Sequence, residues 1–528
     1  MADQLKAANL VPEDRAERYR SQGWWPGESL LERFRGHVAS GPDQVSVTDS
    51  YGTSLTRRQL WERAESLSEQ LRERGVVPGD VVVVYLPNSV LWQAALLACL
   101  QLAAVPATLP VTTDQSALAV NCRAVGTRAI VTIADHHGYR LGEVAAEAAR
   151  EAGLRCEILI VDDDQQDWVS VDGPTSDVVR PVDLDHLMFT SSTTGSSKAV
   201  MHTADTLAAV NIGFAERFGI TEDTPIFMPS PLGHSVGAWH GGRLSLFTGA
   251  HLVLQDRWHP RIALELVDEH RCEFTAAATP FLKDLVEAPW DGPKFATMRN
   301  FLCGGAAVPE SLMERAATEL AHTFVTVLWG MTEGGVTTCL PDSTLEQRAA
   351  TCGVGLPGLE LATVDPDGTL NPEGGELVMR GPGVFVGYLG QEQLYADSLT
   401  EDGYFRTGDL ATVDEAGFLR LTGRLKDLIV RGGVNISPVR TENALAAHPG
   451  VRSVAVIGIP DDRLGERICA VITPQGPAPT LAELVAFLTD AGLPRRLMPE
   501  SLVVRDDMPT TAAGKIRKVD VRKLVVHP

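Results

Sequence analysis

The stretch FTSSTTGSSKAV, from Phe189 to Val200, gathers hydroxyl side chains, one glycine and one lysine into a short run. That mixture suits phosphate, because hydroxyls and backbone N–H groups wrap the oxygens and a lysine neutralises their charge. Gly195 and Lys198 are too closely spaced for the Walker pattern, in which lysine stands about six residues after the first glycine and directly behind a second. A polar surface loop between a strand and a helix is the alternative that the stretch leaves open by itself.

Four further stretches follow in order: LWGMTE (Leu328–Glu333), YFRTGDL (Tyr404–Leu410), LTGRLKDLIVRGGVNISP (Leu421–Pro438) and PTTAAGKIRK (Pro509–Lys518). Singly each is ambiguous. Asp409 in TGD suits a turn, Trp329 suits a core, and Glu333 suits a helix cap. Together with MFTSSTTGSSKAV they resemble the adenylate-forming superfamily over nearly the whole chain. That group contains acyl-CoA synthetases, aryl-acid and amino-acid adenylation domains, and firefly luciferase. RYRSQGWWPGESLLERF (Arg18–Phe34) and PLGHSVG (Pro231–Gly237) resemble its branch of cyclic, aromatic and medium-chain acyl-CoA ligases.

The resemblance implies activation of a small carboxylic acid by ATP to an acyl-adenylate with pyrophosphate release. Transfer to the thiol of CoA, or of a phosphopantetheinyl carrier protein, then follows. An anion must meet a polyanion, so positive charge and a metal are needed where the transition-state charge spreads. Thr190, Ser191, Thr193, Thr194, Gly195 and Lys198 are expected on the β- and γ-phosphates. Thr332 is expected on the α-phosphate, and Glu333 on Mg²⁺ as a hard oxygen ligand. Trp329 is expected to stack on adenine, with Gly304, Gly305 and Ala306 giving the base room against backbone. Asp409, helped by Arg424, is expected on the ribose hydroxyls. Lys515, a point charge on a flexible stem, is expected to bridge carboxylate and α-phosphate.

Lys426 falls at the family's hinge, with a domain of residues 1–425 before it and a mobile domain of residues 427–528 after it. Arg431, Gly432 and Gly433 are expected to line the thiol tunnel, and Arg431, Arg463, Arg495 and Arg496 to meet CoA phosphates. His234 matches a gating histidine beside the carboxylate, though a satisfied buried histidine fits as well. Trp239, His240, Thr279, Phe281 and Cys303 are expected to shape the acyl pocket. Segments around 234–242, 279–283, 303–307 and 329–338 are expected to line that pocket; none of their acidic residues stands out as a partner for an α-amino group, which disfavours amino-acid substrates, and Asp284 lies just beyond them. Three positions depart from the family loop: Ser192 and Ala199 replace usual glycines and Ser197 a usual proline. A further alternative keeps the ATP site but activates nitrite for an aryl amine, as diazotase-like relatives do. A non-catalytic adenylate sensor is disfavoured by the retained Glu333, Asp409, Arg424 and Lys515.

The elements that must position these residues alternate. LTRRQLWERAESLSEQLRERG reads as an amphipathic helix stopping at Gly75, DVVVVYLP as an apolar strand, and TRAIVTIAD as the next strand. LDHLMFTSS, HLVLQD, EFTAAATP and FVTVLWGMTE continue the strands, with ADTLAAVNIGFAERFG as a helix between. Apolar strands separated by helices imply parallel sheets. From about Gly353 short strands and turns predict a small β-barrel or meander. After Lys426 a compact α+β module follows, in which Thr480 and Glu483 form a capping box. The expected fold is α/β: two αβ sheet lobes and a small β-barrel in a large N-terminal domain, then the small C-terminal one.

Composition sets the frame. The chain has 528 residues and a net charge of −22, which disfavours nucleic acid as a partner. From Asp427 onward Lys and Arg outnumber Asp and Glu by two, leaving −24 on the remainder, so the tail reads as a separate module able to meet anionic ligands. Eight scattered cysteines without a CxxC pair read as reduced, mostly buried thiols. The charged start and the run SVLWQAALLACLQLAAVPATLP, broken by Gln93 and Gln101, predict a cytoplasmic protein without a membrane span. Oligomeric state is left open.

Overall fold

Val81–Val84, four consecutive valines, is buried on every residue, as a strand covered on both faces must be. In the computed structural model it lies mid-way in a seven-stranded sheet. Residues 10–162, 165–181, 183–190, 198–305, 308–510 and 516–526 are described. The strand order is Gln165–Val171, Cys156–Asp162, Thr127–Thr132, Val81–Val84, Val105–Thr108, Leu184–Thr190 and Lys198–Thr203. The inner five are parallel and the two edges antiparallel. A nine-stranded sheet runs parallel from Phe324–Gly330 across to Val45–Asp49 and is likewise closed by antiparallel edges. One core joins the two sheets: Val82 and Val84 pack in the same cluster as Ile226, Met228, Leu252, Leu254, Trp92 and Trp239.

Helix boundaries follow capping chemistry. Arg57–Glu73 starts at Thr56, whose hydroxyl and Gln59 form a capping box. Ala204–Phe218 is capped by Thr203 and ends at Gly219 with φ 63°. Val90–Gln101 is almost wholly apolar, and Gln93 Nε2 donates to the Gly242 carbonyl and to Ser245 Oγ. No described helix is long and apolar enough to cross a membrane.

The stretch read as a barrel or meander is a four-stranded antiparallel meander in sequential order: Glu360–Val364, Gly375–Arg380, Phe405–Val413 and Leu419–Arg424. A 3₁₀ turn, Leu425–Asp427, carries Lys426 onward. The five-stranded sheet beyond it pairs Val451–Asp461 with Gly465–Pro474 along their length. The Thr480/Glu483 capping box opens helix Leu481–Asp490 there. All eight cysteines are buried and free.

Candidate active site

Lys198 was expected in a loop between a strand and a helix. Instead it opens a strand, Lys198–Thr203, antiparallel to Leu184–Thr190, with Thr190 opposite Lys198. Ser191, Thr193, Thr194 and Gly195, with Ser192 and Ser197, lie outside the described residues, in the connection between those strands. The reason for the second strand is visible in its burial: Ala199, Val200, Met201, His202 and Thr203 are all buried. Ala199 sits in that core at 1% exposure. A methyl in place of the family's glycine therefore fills packing space.

Strand Lys198–Thr203 aims Lys198 over the ring of Tyr388, 4.8 Å from its centroid. Tyr388 donates its hydroxyl to Glu333 Oε1 at 2.8 Å. Burial raises the pKa of Glu333, while Tyr388, Lys198 and Arg424 oppose that rise. Glu333 hangs on a turn between strands Phe324–Gly330 and Val336–Thr338. His202 holds the turn by donating from Nε2 to the Thr332 carbonyl at 2.9 Å. Gly334 holds it too: its φ is 100°, and a Cβ there would lie 2.0 Å from the Gly383 carbonyl oxygen. Thr332 is half-buried.

Asp409 is buried and accepts from both Arg424 Nε and Trp329 Nε1, the latter at 2.9 Å. Trp329, expected on adenine, is thus 6% exposed with its indole N–H committed to Asp409. Gly304 packs where a Cβ would come 2.6 Å from the Leu328 carbonyl oxygen, and Gly305 adopts φ 83°. Ala306 lies outside the described residues.

Gly304, Gly305 and Leu328 also line a largely apolar cleft with His234, Phe281 and Ala278. His234 Nε2 is buried there without a hydrogen-bond partner among the described residues, and burial lowers its pKa. Phe281 stacks on Trp258 at 4.3 Å. Trp258 in turn donates to Asp284 at 2.8 Å, so that carboxylate already has a partner.

The other expected pocket residues are not among the cleft lining. Trp239 and His240 lie in a π-helical turn, Ala238–Arg243, that directs both into the core. Trp239 packs edge-on to His202 at 4.7 Å and His240 against Phe214 at 4.5 Å. Strand alternation turns Leu302 and Gly304 to the cleft but Cys303 to the opposite core. There Cys303 Sγ meets Thr279 Oγ1 at 3.8 Å.

In the C-terminal sheet Arg431 pairs with both oxygens of Glu500, at 2.9 and 2.8 Å. Gly432 and Gly433, with φ of 59° and 78°, make the two-residue turn between Ile429–Arg431 and Val434–Ile436. Positive φ at both positions is what a type I′ hairpin requires. Arg463, Arg495 and Arg496 are exposed. Lys426 is exposed in its 3₁₀ turn. Lys515 lies outside the described residues, between Thr510 and Ile516, which pair across an antiparallel bridge.

Sequence reasoning missed Tyr388 and His202. Tyr388 stands in GVFVGYLG, where only its place between two glycines marked it, and His202 looked like any histidine on an apolar strand.

Comparison with known proteins places this geometry in context. A family described as AMP-binding enzyme matches residues 34–389, and AMP-binding enzyme C-terminal domain matches residues 440–515. The medium-chain fatty-acid–CoA ligase of Escherichia coli (strain K12) is 32% identical, covering 99% of this chain and 95% of its own. A salicylyl-CoA synthase / salicylate adenylyltransferase of Streptomyces sp is 31% identical, covering 97% of each. The crystal structure of ATP-bound MatB from Rhodopseudomonas palustris superposes with a TM-score of 0.82 at 26% identity, covering 94% of this chain and 99% of that one.

Proposed function

The chain belongs to the AMP-binding enzyme family, and from that premise we propose that it joins an apolar carboxylic acid (aromatic, cyclic or medium-chain) to the thiol of CoA. It is an adenylate-forming ligase of the acyl-CoA ligase type. A carboxylate oxygen attacks the α-phosphorus of ATP, the bond to the β-phosphate oxygen breaks, and pyrophosphate leaves. The CoA thiol, losing its proton, attacks the acyl carbon, and the bond to AMP breaks.

The observation that carries the substrate class is the apolar cleft with the unpartnered His234 Nε2. Such an atom is costly unless a ligand satisfies it, and a substrate carboxylate would accept its N–H. The same strand carries Leu328 in the cleft and Trp329 on Asp409, which supports an acid pocket next to a nucleotide pocket. Lys198 and Arg424 bring positive charge to Glu333. Glu333 suits Mg²⁺ as a hard oxygen ligand, and Tyr388 holds its carboxylate in place through Oε1. When bound, the ion would neutralise phosphate charge.

In this reading Thr190, Lys198 and the connection after Thr190 grip the pyrophosphate, Thr332 the α-phosphate, and Asp409 with Arg424 the ribose. Lys515 draws the two anions together. Rotation about Lys426 of the domain from residue 427 onward then exchanges Lys515 for the Gly432–Gly433 turn.

A pyrophosphate-release screen over benzoates, cyclic acids, medium-chain acids and nitrite, with and without CoA, tests the proposal. Release with one of the apolar acids, and an acyl-CoA product when CoA is present, is expected. Release with nitrite alone, or an acyl-adenylate that CoA never discharges, contradicts it.

A further inference from the structure

Away from the candidate active site, three elements bring ligating atoms to one point. His136 and His137 follow strand Thr127–Thr132 of the seven-stranded sheet, and Asp256 follows strand Leu252–Leu254 of the nine-stranded one. Their donor atoms all lie within 4.8 Å of one another. His136 Nε2 is 3.4 Å and His137 Nε2 3.2 Å from Asp256 Oδ2. Tetrahedral zinc, with ligand bonds of about 2.0–2.1 Å, sets its ligand atoms about 3.3 Å apart.

The hydroxyl of Tyr51, in the turn between Val45–Asp49 and Ser54–Thr56, reaches the same oxygen at 2.7 Å. One carboxylate oxygen offers two lone pairs, yet three groups converge on Oδ2. The loop is held by its own hydrogen bonds. His136 and Tyr139 exchange both backbone hydrogen bonds, at 2.9 and 3.0 Å, and Gly138 N–H is fixed by Asp135 Oδ1 at 2.9 Å. His137 sits at φ 52°, a region that a Cβ-bearing residue seldom occupies. Asp256 and His136 side chains are only 7% and 11% exposed, while His137, at 38%, leaves an approach from solvent.

We propose that His136 Nε2, His137 Nε2 and Asp256 Oδ2 form a zinc site, with water or the Tyr51 hydroxyl in the fourth position. Two imidazoles and one carboxylate are a borderline-soft set that suits Zn²⁺ better than Mg²⁺ or Ca²⁺. The ion would pin the loop of one sheet to the strand end of the other. It shares no residue with the Glu333 cluster.

The test uses the full chain, stripped with chelator and desalted. It is titrated with ZnCl₂ by calorimetry and with CoCl₂ by visible absorption. Wild type and the variants His136→Gln and His137→Asn are compared, asparagine being tolerant of the left-handed backbone. One Zn²⁺ per chain is expected at this site, with intense tetrahedral Co²⁺ bands. Each variant should weaken binding by about tenfold or more, since even outer-shell losses cost about 10–100-fold. Zn²⁺ should raise the thermal unfolding temperature of wild type but not of His137→Asn, and Glu333→Gln should bind Zn²⁺ as wild type does. Equal Zn²⁺ affinity in wild type and His137→Asn, weak octahedral Co²⁺ bands in wild type, or no uptake by wild type would overturn the proposal.

Discussion

A carboxyl withdrawn from water holds its proton more tightly, and Glu333 is such a group, with Tyr388 as its nearest relief. The proposed metal-binding role of Glu333 needs the carboxylate, so activity should fall as pH drops through its raised pKa. Tyr388→Phe removes a hydrogen bond that lowers that pKa. The acid limb of ATP–pyrophosphate exchange should therefore move to higher pH, and a limb that stays put would detach Tyr388 from Glu333. His234 makes a different prediction. If its Nε2 meets the substrate carboxylate, His234→Ala loses a hydrogen bond to a charged group, of about 1.5–3 kcal/mol. KM for the acid should rise about 10–100-fold while KM for ATP holds. A rise in KM for ATP alone would place the histidine elsewhere.

Turns do the positioning at the scale of elements, and glycine decides two of them. Gly334→Ala meets both an unfavourable φ and the Gly383 carbonyl, so a loss of at least about 2 kcal/mol in urea unfolding is expected. Gly433→Ala meets open space and should cost only about 1 kcal/mol, from backbone strain alone. Gly433→Trp separates turn from tunnel: thioester formation should fail while pyrophosphate exchange persists. Intact thioester formation in that variant would leave the glycine pair as a hairpin and nothing more. Much of this was legible in the sequence. The strands Val81–Val84, Thr127–Thr132, Leu184–Thr190, Leu252–Leu254, Phe274–Ala278 and Phe324–Gly330, and the Thr480/Glu483 cap, were readable because spacing and residue type mark them locally. The direction of a side chain within its element was not. Trp239 and His240 lie in the expected segment, but the π-helical turn faces them inward, and strand alternation does the same to Cys303. Tyr388 reaches Glu333 only through the meeting of two distant segments, which no local pattern reports. Lys198 looked like a loop residue because the loop's polar character masked the buried strand that begins there.

The whole molecule carries several buried histidines in its shared core and sheet edges. Burial lowers His202 and His251 to about 4 and His240 to about 3. The unfolded chain binds protons at these sites from about pH 6.5 downward, while the folded chain resists until near pH 4. Stability should therefore be fully present above pH 6.5 and be lost as pH falls toward 4. Urea midpoints at pH 7.5 and pH 5 check this, and His202→Gln should flatten the dependence; a midpoint that rises on acidification would contradict it. The proposed domain alternation also belongs to the scale of the whole chain. In the proposed cycle Lys515 serves adenylation only, and the turn at Gly432–Gly433 serves only the second step. The most direct test measures both half-reactions in Lys515→Ala: carboxylate-dependent ATP–pyrophosphate exchange, and CoA thioester formation from supplied acyl-adenylate. Loss of exchange with retained thioester formation is the predicted result; exchange at the wild-type rate in Lys515→Ala would contradict the account.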